Sequence, residues 1–176
     1  AQDETIEEIA VTGTRIRGAN PDSFSPVSII NQEQIQISGK ISIGELLQEM
    51  PSQGSGLNRN YNNGGDGSVR MDFRNLGGGR TLVLVDGKRW INSGEGANSS
   101  VDLNTIPTAS IERVEILKDG ASAVYGSDAI GAVINIITKD NYEGVEFQAQ
   151  TGEYYDGGGL ANSYQVTAGT SFDRGS

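Results

Sequence analysis

Cysteine and histidine are both absent from the 176 residues, tryptophan occurs once and proline four times. Without thiol or imidazole the chain has no disulfide, no Cys or His metal ligand, and no nucleophile that works through a Cys–His or Ser–His pair. Most zinc and hydrolytic chemistry is excluded on that ground. A glycosidase would need two carboxylates held about 5 to 10 Å apart, but the acids here sit mainly on termini, strand faces and turns, and no pair stands out. The expectation is a protein that is not an enzyme and holds no cofactor or metal.

Positive charge is also scarce. Thirteen Lys and Arg against 23 Asp and Glu leave a net charge of -10, the wrong sign for a nucleic-acid partner, whose phosphates need a basic surface. No stretch of about 18 apolar residues occurs, so no membrane-spanning helix is expected, and no charged n-region followed by an apolar run marks a signal peptide. The opening Ala1-Gln2-Asp3 suits a mature end left by cleavage at a small-residue site.

What the chain does have is glycine, 25 residues of it, set between apolar clusters in the manner of a loop-rich folded domain. Residues 1–26 read as a flexible lead. Acids precede the β-prone Ile9-Ala10-Val11-Thr12, and Gly18, Asn20, Pro21 and Pro26 oppose regular structure. Val27–Ile30 reads as a short strand. Asn31 with Gln34 marks a capped helix over 32–38, and Ser42 with Glu45 a second capping box before Ile43, Leu46, Leu47 and Met50. A long polar loop runs from Gln53 to Gly67. Val69, Met71 and Phe73 alternate with Arg70, Asp72 and Arg74, predicting a strand with one charged face.

Leu82–Val85 reads as a buried strand, and Asp86-Gly87 after it predicts a two-residue hairpin, because both turn positions need positive φ. A second polar loop spans Asn92 to Ser100. Strands are expected over Ile111–Leu117 and Ala132–Ile137, with a tight connection from Asp119-Gly120 through Val124, Tyr125 and Gly126. The tail changes character. Val145, Phe147, Ala149 and Thr151 alternate with polar residues or glycine, as do Tyr164, Val166, Ala168, Thr170 and Phe172 beyond a glycine turn at 156–159. Two strands of roughly 10 residues match those of outer-membrane barrels.

Glu8-Ile9-Ala10-Val11-Thr12-Gly13, the run Arg80 to Gly87, the run Ile111 to Gly120, and Val124 to Gly131 leading into Asn135-Ile136-Ile137-Thr138-Lys139 together resemble TonB-dependent receptors, in the family's order along essentially the whole chain. The resemblance implies an α+β plug domain with a small mixed β-sheet, short helices and long polar loops, followed by a β-hairpin from a transmembrane β-barrel. It divides the chain into a TonB box and linker (1–26), a plug (27–139) and the first two barrel strands (140–176). It places the protein in the outer membrane of a Gram-negative bacterium with the plug facing the periplasm. There it would gate import of a scarce nutrient such as a siderophore, cobalamin or oligosaccharide. The expected partners are the receptor's own barrel and the periplasmic domain of TonB, with the ExbB–ExbD motor behind it.

By the same resemblance Glu7, Glu8, Ile9, Ala10, Val11, Thr12 and Gly13 form the TonB-binding strand, captured by strand addition. Asn58, Arg59, Asn60, Tyr61, Asn62, Trp90 and Asn92 fall in ligand-binding loops. Arg70, Arg74, Arg80, Glu112, Arg113 and Glu115 are expected to share a face and lock plug to barrel. One departure stands out: where the family usually has Ile-Arg-Gly, this chain reads Phe73-Arg74-Asn75. A soluble carbohydrate-binding or adhesive β-rich module is the competing reading, since Asn-rich loops with Tyr61 and Trp90 also suit sugars. Gly77-Gly78-Gly79 lacks the Lys-Ser or Lys-Thr of a phosphate-binding loop. The terminal hairpin, marginal in water by itself, is expected to be disordered, self-associated or covering another apolar surface.

Overall fold

The computed structural model describes residues 27–54, 67–93, 100–118, 122–140, 142–153 and 160–170. Along these run β1 (Val27–Asn31), α1 (Gln32–Ile37), α2 (Ile43–Gln48), β2 (Thr81–Val85), β3 (Lys88–Arg89), β4 (Ile111–Leu117), α3 (Ser122–Tyr125), β5 (Ala132–Thr138), β6 (Gly144–Glu153) and β7 (Leu160–Gly169). The TonB-binding segment, Asn58–Asn62 and Asp119-Gly120 lie outside the described residues.

Five strands form one sheet in the order β1-β4-β5-β2-β3, and it is mixed, because β2 runs parallel to β5 while the other pairings are antiparallel. The continuous apolar run of β5 explains its central place: Ala132 to Ile137 are all buried, which requires cover on both faces. One face carries Val83, Val114, Ile116, Ile134 and Ile136, packed with Ile35 of α1, Ile43 and Leu47 of α2, Phe73 and Leu103. Leu82, Leu84, Leu117 and Val133 pack with Ala129 in a second cluster. Each such side chain contributes about 1.5–3 kcal/mol relative to exposure.

Local chemistry sets the helix starts. The Asn31 carboxamide accepts from Gln34 N at 2.9 Å while Gln34 Oε1 accepts from Asn31 N at 3.1 Å, which closes the expected capping box. At α2 the expected box is replaced by a simple cap. The Ser42 hydroxyl accepts from Gly44 N at 3.2 Å, and Glu45 N donates to the Ser42 carbonyl instead. Gly44 is required by proximity, since a Cβ there would stand 2.4 Å from Val69 Cγ1.

The strand expected over Val69–Phe73 is corrected. Val69, Met71 and Phe73 are buried as the alternation implied, but apart from a single bridge between Gln53 and Phe73 the segment joins no ladder. Side chains accept from its amides instead, Val69 N donating to Asp102 Oδ1, Asp72 N to Gln53 Oε1 and Phe73 N to Thr81 Oγ1, while the Val69 and Asp72 carbonyls accept from Leu103 N and Gly54 N. Arg74 and Asn75 then both take φ of 59°. Asparagine is among the few non-glycine residues that tolerate this region, so Asn75 supports the turn in place of the family's glycine.

The Asp86-Gly87 hairpin forms as the sequence indicated, with φ of 49° and 75°. The Asp86 carboxylate also caps the end of β5, accepting from Thr138 N at 2.9 Å and Thr138 Oγ1 at 2.7 Å. Strands β6 and β7 pair antiparallel over ten residues each, from Gly144 with Gly169 to Glu153 with Leu160. Val145, Phe147, Tyr164 and Val166 are 65–76 % exposed on one face. Among the described residues this apolar face is not laid on another apolar surface. The hairpin's polar face meets the plug: Gln165 Oε1 accepts from Ala109 N at 3.0 Å, and Gln150 Nε2 donates to the Gly39 carbonyl.

Candidate functional site

The two-residue hairpin fixes where β3 returns. Trp90 N donates to the Val83 carbonyl at 3.1 Å, which holds the one tryptophan of the chain beside β2 rather than in a free loop. Its indole Nε1 donates to Thr105 Oγ1 at 3.0 Å, and that hydroxyl in turn donates to the Asp102 carbonyl at 2.7 Å. A ring fixed at its polar end presents its apolar body without the entropy cost of a mobile side chain. Ser93 and Ser100 bridge across the neck of the loop that follows.

Trp90 and Asn92, both expected in a ligand loop, line a polar pocket of about 200 Å3 with Gly78, Gly79, Arg89, Ser100 and Asp128. Sequence reasoning missed the last five. The glycine run ends in the turn Gly78–Arg80 that opens β2, and with β2 parallel to β5 the segment before β5 must reach the same end of the sheet. That register belongs to the fold, and no local sequence pattern signals Gly78, Gly79 or Asp128.

The six residues expected to lock the barrel do not gather into one group. Glu112, Arg113 and Glu115 do: Arg113 Nε donates to Glu115 Oε1 at 3.0 Å and Nη1 to Glu112 Oε1 at 2.5 Å. Glu115 is 2 % exposed, and its second oxygen accepts from Asn135 Nδ2 at 3.3 Å, while Asn135 Oδ1 accepts from Gly87 N at 3.0 Å. A buried carboxylate is tolerable only with such partners, and this chain of contacts ties β4, β5 and the β2–β3 turn together. Arg70, Arg74 and Arg80 lie apart. The Arg70 carbonyl accepts from Gln48, Arg74 N donates to the Ser52 carbonyl, and Arg80 Nη1 donates to the Leu76 carbonyl.

No group of three or more metal-ligating side chains occurs among the described residues. What the fold and its surfaces define is a plug: a mixed sheet covered on both faces, followed along the chain by a hairpin whose outward face is apolar.

Residues 19–133 match the model of the TonB-dependent Receptor Plug Domain, and the chain belongs to that family, as its motifs indicated. Among solved structures it is similar to a mutant of the ferric enterobactin receptor PfeA from Pseudomonas aeruginosa, determined in complex with enterobactin. Identity is 26 % over 80 % of this chain and 22 % of that one, with a TM-score of 0.61. It is likewise similar to the siderophore receptor PirA from Acinetobacter baumannii, at 27 % identity over 78 % of this chain and 21 % of that one, with a TM-score of 0.58. The chain therefore spans about a fifth of the length of these receptors.

Proposed function

We propose that this plug, TonB box and linker over 1–26, plug proper over 27–139 and barrel strands from 140 onward, gates an outer-membrane transporter. It binds a scarce nutrient and admits it with energy delivered through TonB. The observation that carries this reading is the continuity from the capped end of β5 into β6, whose neighbour β7 completes a surface with its apolar side turned away from the plug. Such a surface suits lipid, and the polar side suits a barrel lumen. The likeness to siderophore receptors favours an iron chelate over cobalamin or an oligosaccharide as cargo.

In this reading the ligand docks where Trp90 and Asn92 line the loop-end pocket, together with the segment 58–62. Arg74 and Arg80, both exposed, meet acidic groups of the barrel wall, while Arg113 serves mainly to hold Glu115 inside the plug. Polar contacts of this kind hold the plug weakly enough to release it. Glu7–Gly13 pairs with the periplasmic domain of TonB as an added strand, and the proton gradient behind the ExbB–ExbD motor supplies the work.

Ile9→Pro tests the coupling step. Proline removes a backbone donor and disfavours the added strand, so the variant is expected to lose co-purification with TonB and nutrient uptake while its thermal unfolding is unchanged. Undiminished TonB binding would overturn the assignment of that segment.

A further inference from the structure

The loop-end pocket holds an ion pair that the docking reading does not use. Arg89 Nη1 stands 2.5 Å from Asp128 Oδ2, and its Nη2 donates to the Tyr125 carbonyl. The guanidinium thus clasps the stretch Tyr125–Asp128 to the edge of the sheet. Gly126 in that stretch has φ of 94°, and a Cβ on it would stand 3.6 Å from Arg89 Nη2. The two side chains remain 51 % and 46 % exposed, and both line the pocket alongside Trp90. Asp128 is the one acid among the described lining residues.

We propose that Arg89 is the anion-recognising residue of this pocket, with Asp128 as an internal stand-in that an anionic group of the ligand displaces. The inference rests on the reading that the transported ligand docks at Trp90. A half-exposed pair is screened by water and contributes little. A ligand carboxylate, catecholate or similar anion, seated over the fixed indole and sheltered from solvent by its own bulk, competes for the same planar donor with better geometry. Displacement also loosens the clasp on Tyr125–Asp128, the segment that runs through the buried Ala129 into β5. The shared chemistry is an anion near an aromatic or apolar body. It could come from an anionic iron chelate or from an acidic oligosaccharide.

The test uses the full-length receptor in detergent and three probes: ferric enterobactin, an iron-free oligogalacturonate, and a neutral ferric trihydroxamate as charge control. Binding of one of the two anionic probes is expected, and which one distinguishes the sources. Arg89→Gln should weaken it at least tenfold, with Arg89→Lys intermediate. Asp128→Asn should strengthen it severalfold by removing the competitor, a gain that vanishes in the Arg89→Gln background. A purely structural clasp would instead lose affinity in both single variants. Preference for the neutral chelate, or anion binding that Asp128→Asn weakens or leaves unchanged, overturns the inference. In those cases loss of binding in Trp90→Ala would leave the docking reading standing. Binding of an anionic probe that neither Trp90→Ala nor Arg89→Gln alters overturns both, as does a receptor that binds none of the three.

Discussion

Strands β5 and β6 differ in one respect that decides everything else about them. β5 reads Ala-Val-Ile-Asn-Ile-Ile-Thr and buries its first six residues, whereas β6 alternates and exposes Val145 and Phe147 while Glu146 and Gln148 are half-buried. The first pattern belongs to a strand with protein on both faces. The second belongs to a strand between two solvents, and here the polar side faces the protein. Apolar exposure is thus a property of the hairpin's surroundings in the receptor, not a packing defect, and the two regions should respond oppositely to loss of apolar bulk.

The largest effect is expected at Ile134, fully buried in the sheet core. Ile134→Ala should cost about 2–5 kcal/mol, the range for truncating a buried aliphatic side chain, read as a loss of thermal or denaturant stability of the plug. Val166→Ala on the exposed face of β7 should leave that same transition within about 0.5 kcal/mol, as surface substitutions usually do. Equal effects at the two sites would erase the distinction between them.

A smaller effect is expected where the two regions touch. Gln165→Leu removes the acceptor for Ala109 N. An unsatisfied buried donor costs about 1–3 kcal/mol, but cavities of about 810 and 220 Å3 both border this contact and let water replace the lost partner. The cost should therefore fall near 1 kcal/mol, with faster amide exchange at Ala109 and no change at Ile134. Protection that is unchanged at Ala109 would show that the hairpin is not held there.

Much of this division was legible in the residues. Period two in the tail, the unbroken apolar run of β5 and the positive-φ pair Asp86-Gly87 each reflect local or face-by-face chemistry, which a sequence displays directly. The segment Val69–Phe73 was misread as a strand because alternation reports which side chains are buried, not what the backbone bonds to. There the side chains of Asp102, Gln53 and Thr81 accept from its amides, from positions 8 to 33 residues away. The pocket residues Arg89 and Asp128, 39 positions apart, were invisible for the same reason: a parallel strand register brings them together, and no local pattern encodes it. The charges on β4 were visible, but that Arg113 turns inward to Glu115 depends on Asn135 across the sheet.

The smallest effect concerns the plug surface nearest the hairpin, where Lys40 pairs with Glu49 just beyond α2. The hydrogen bond that Lys40 donates to the Glu49 carboxylate holds its ammonium above the usual 10.5, opposed by partial burial and aided by the charges of Glu49 and Glu45. Because the folded value is raised, the stabilisation is fully present below 10.5 and is lost as pH rises through the folded value. The side chains are 36 % and 57 % exposed, so screening limits the contribution to below about 1 kcal/mol. Lys40→Met keeps most of the stem and removes the charge. It should lower the melting temperature by roughly 1–3 °C at pH 8, a deficit that narrows in high salt and closes as the pH passes upward through the raised value. A deficit that persists in strong alkali would assign the effect to packing of the lysine stem against α2 rather than to its charge.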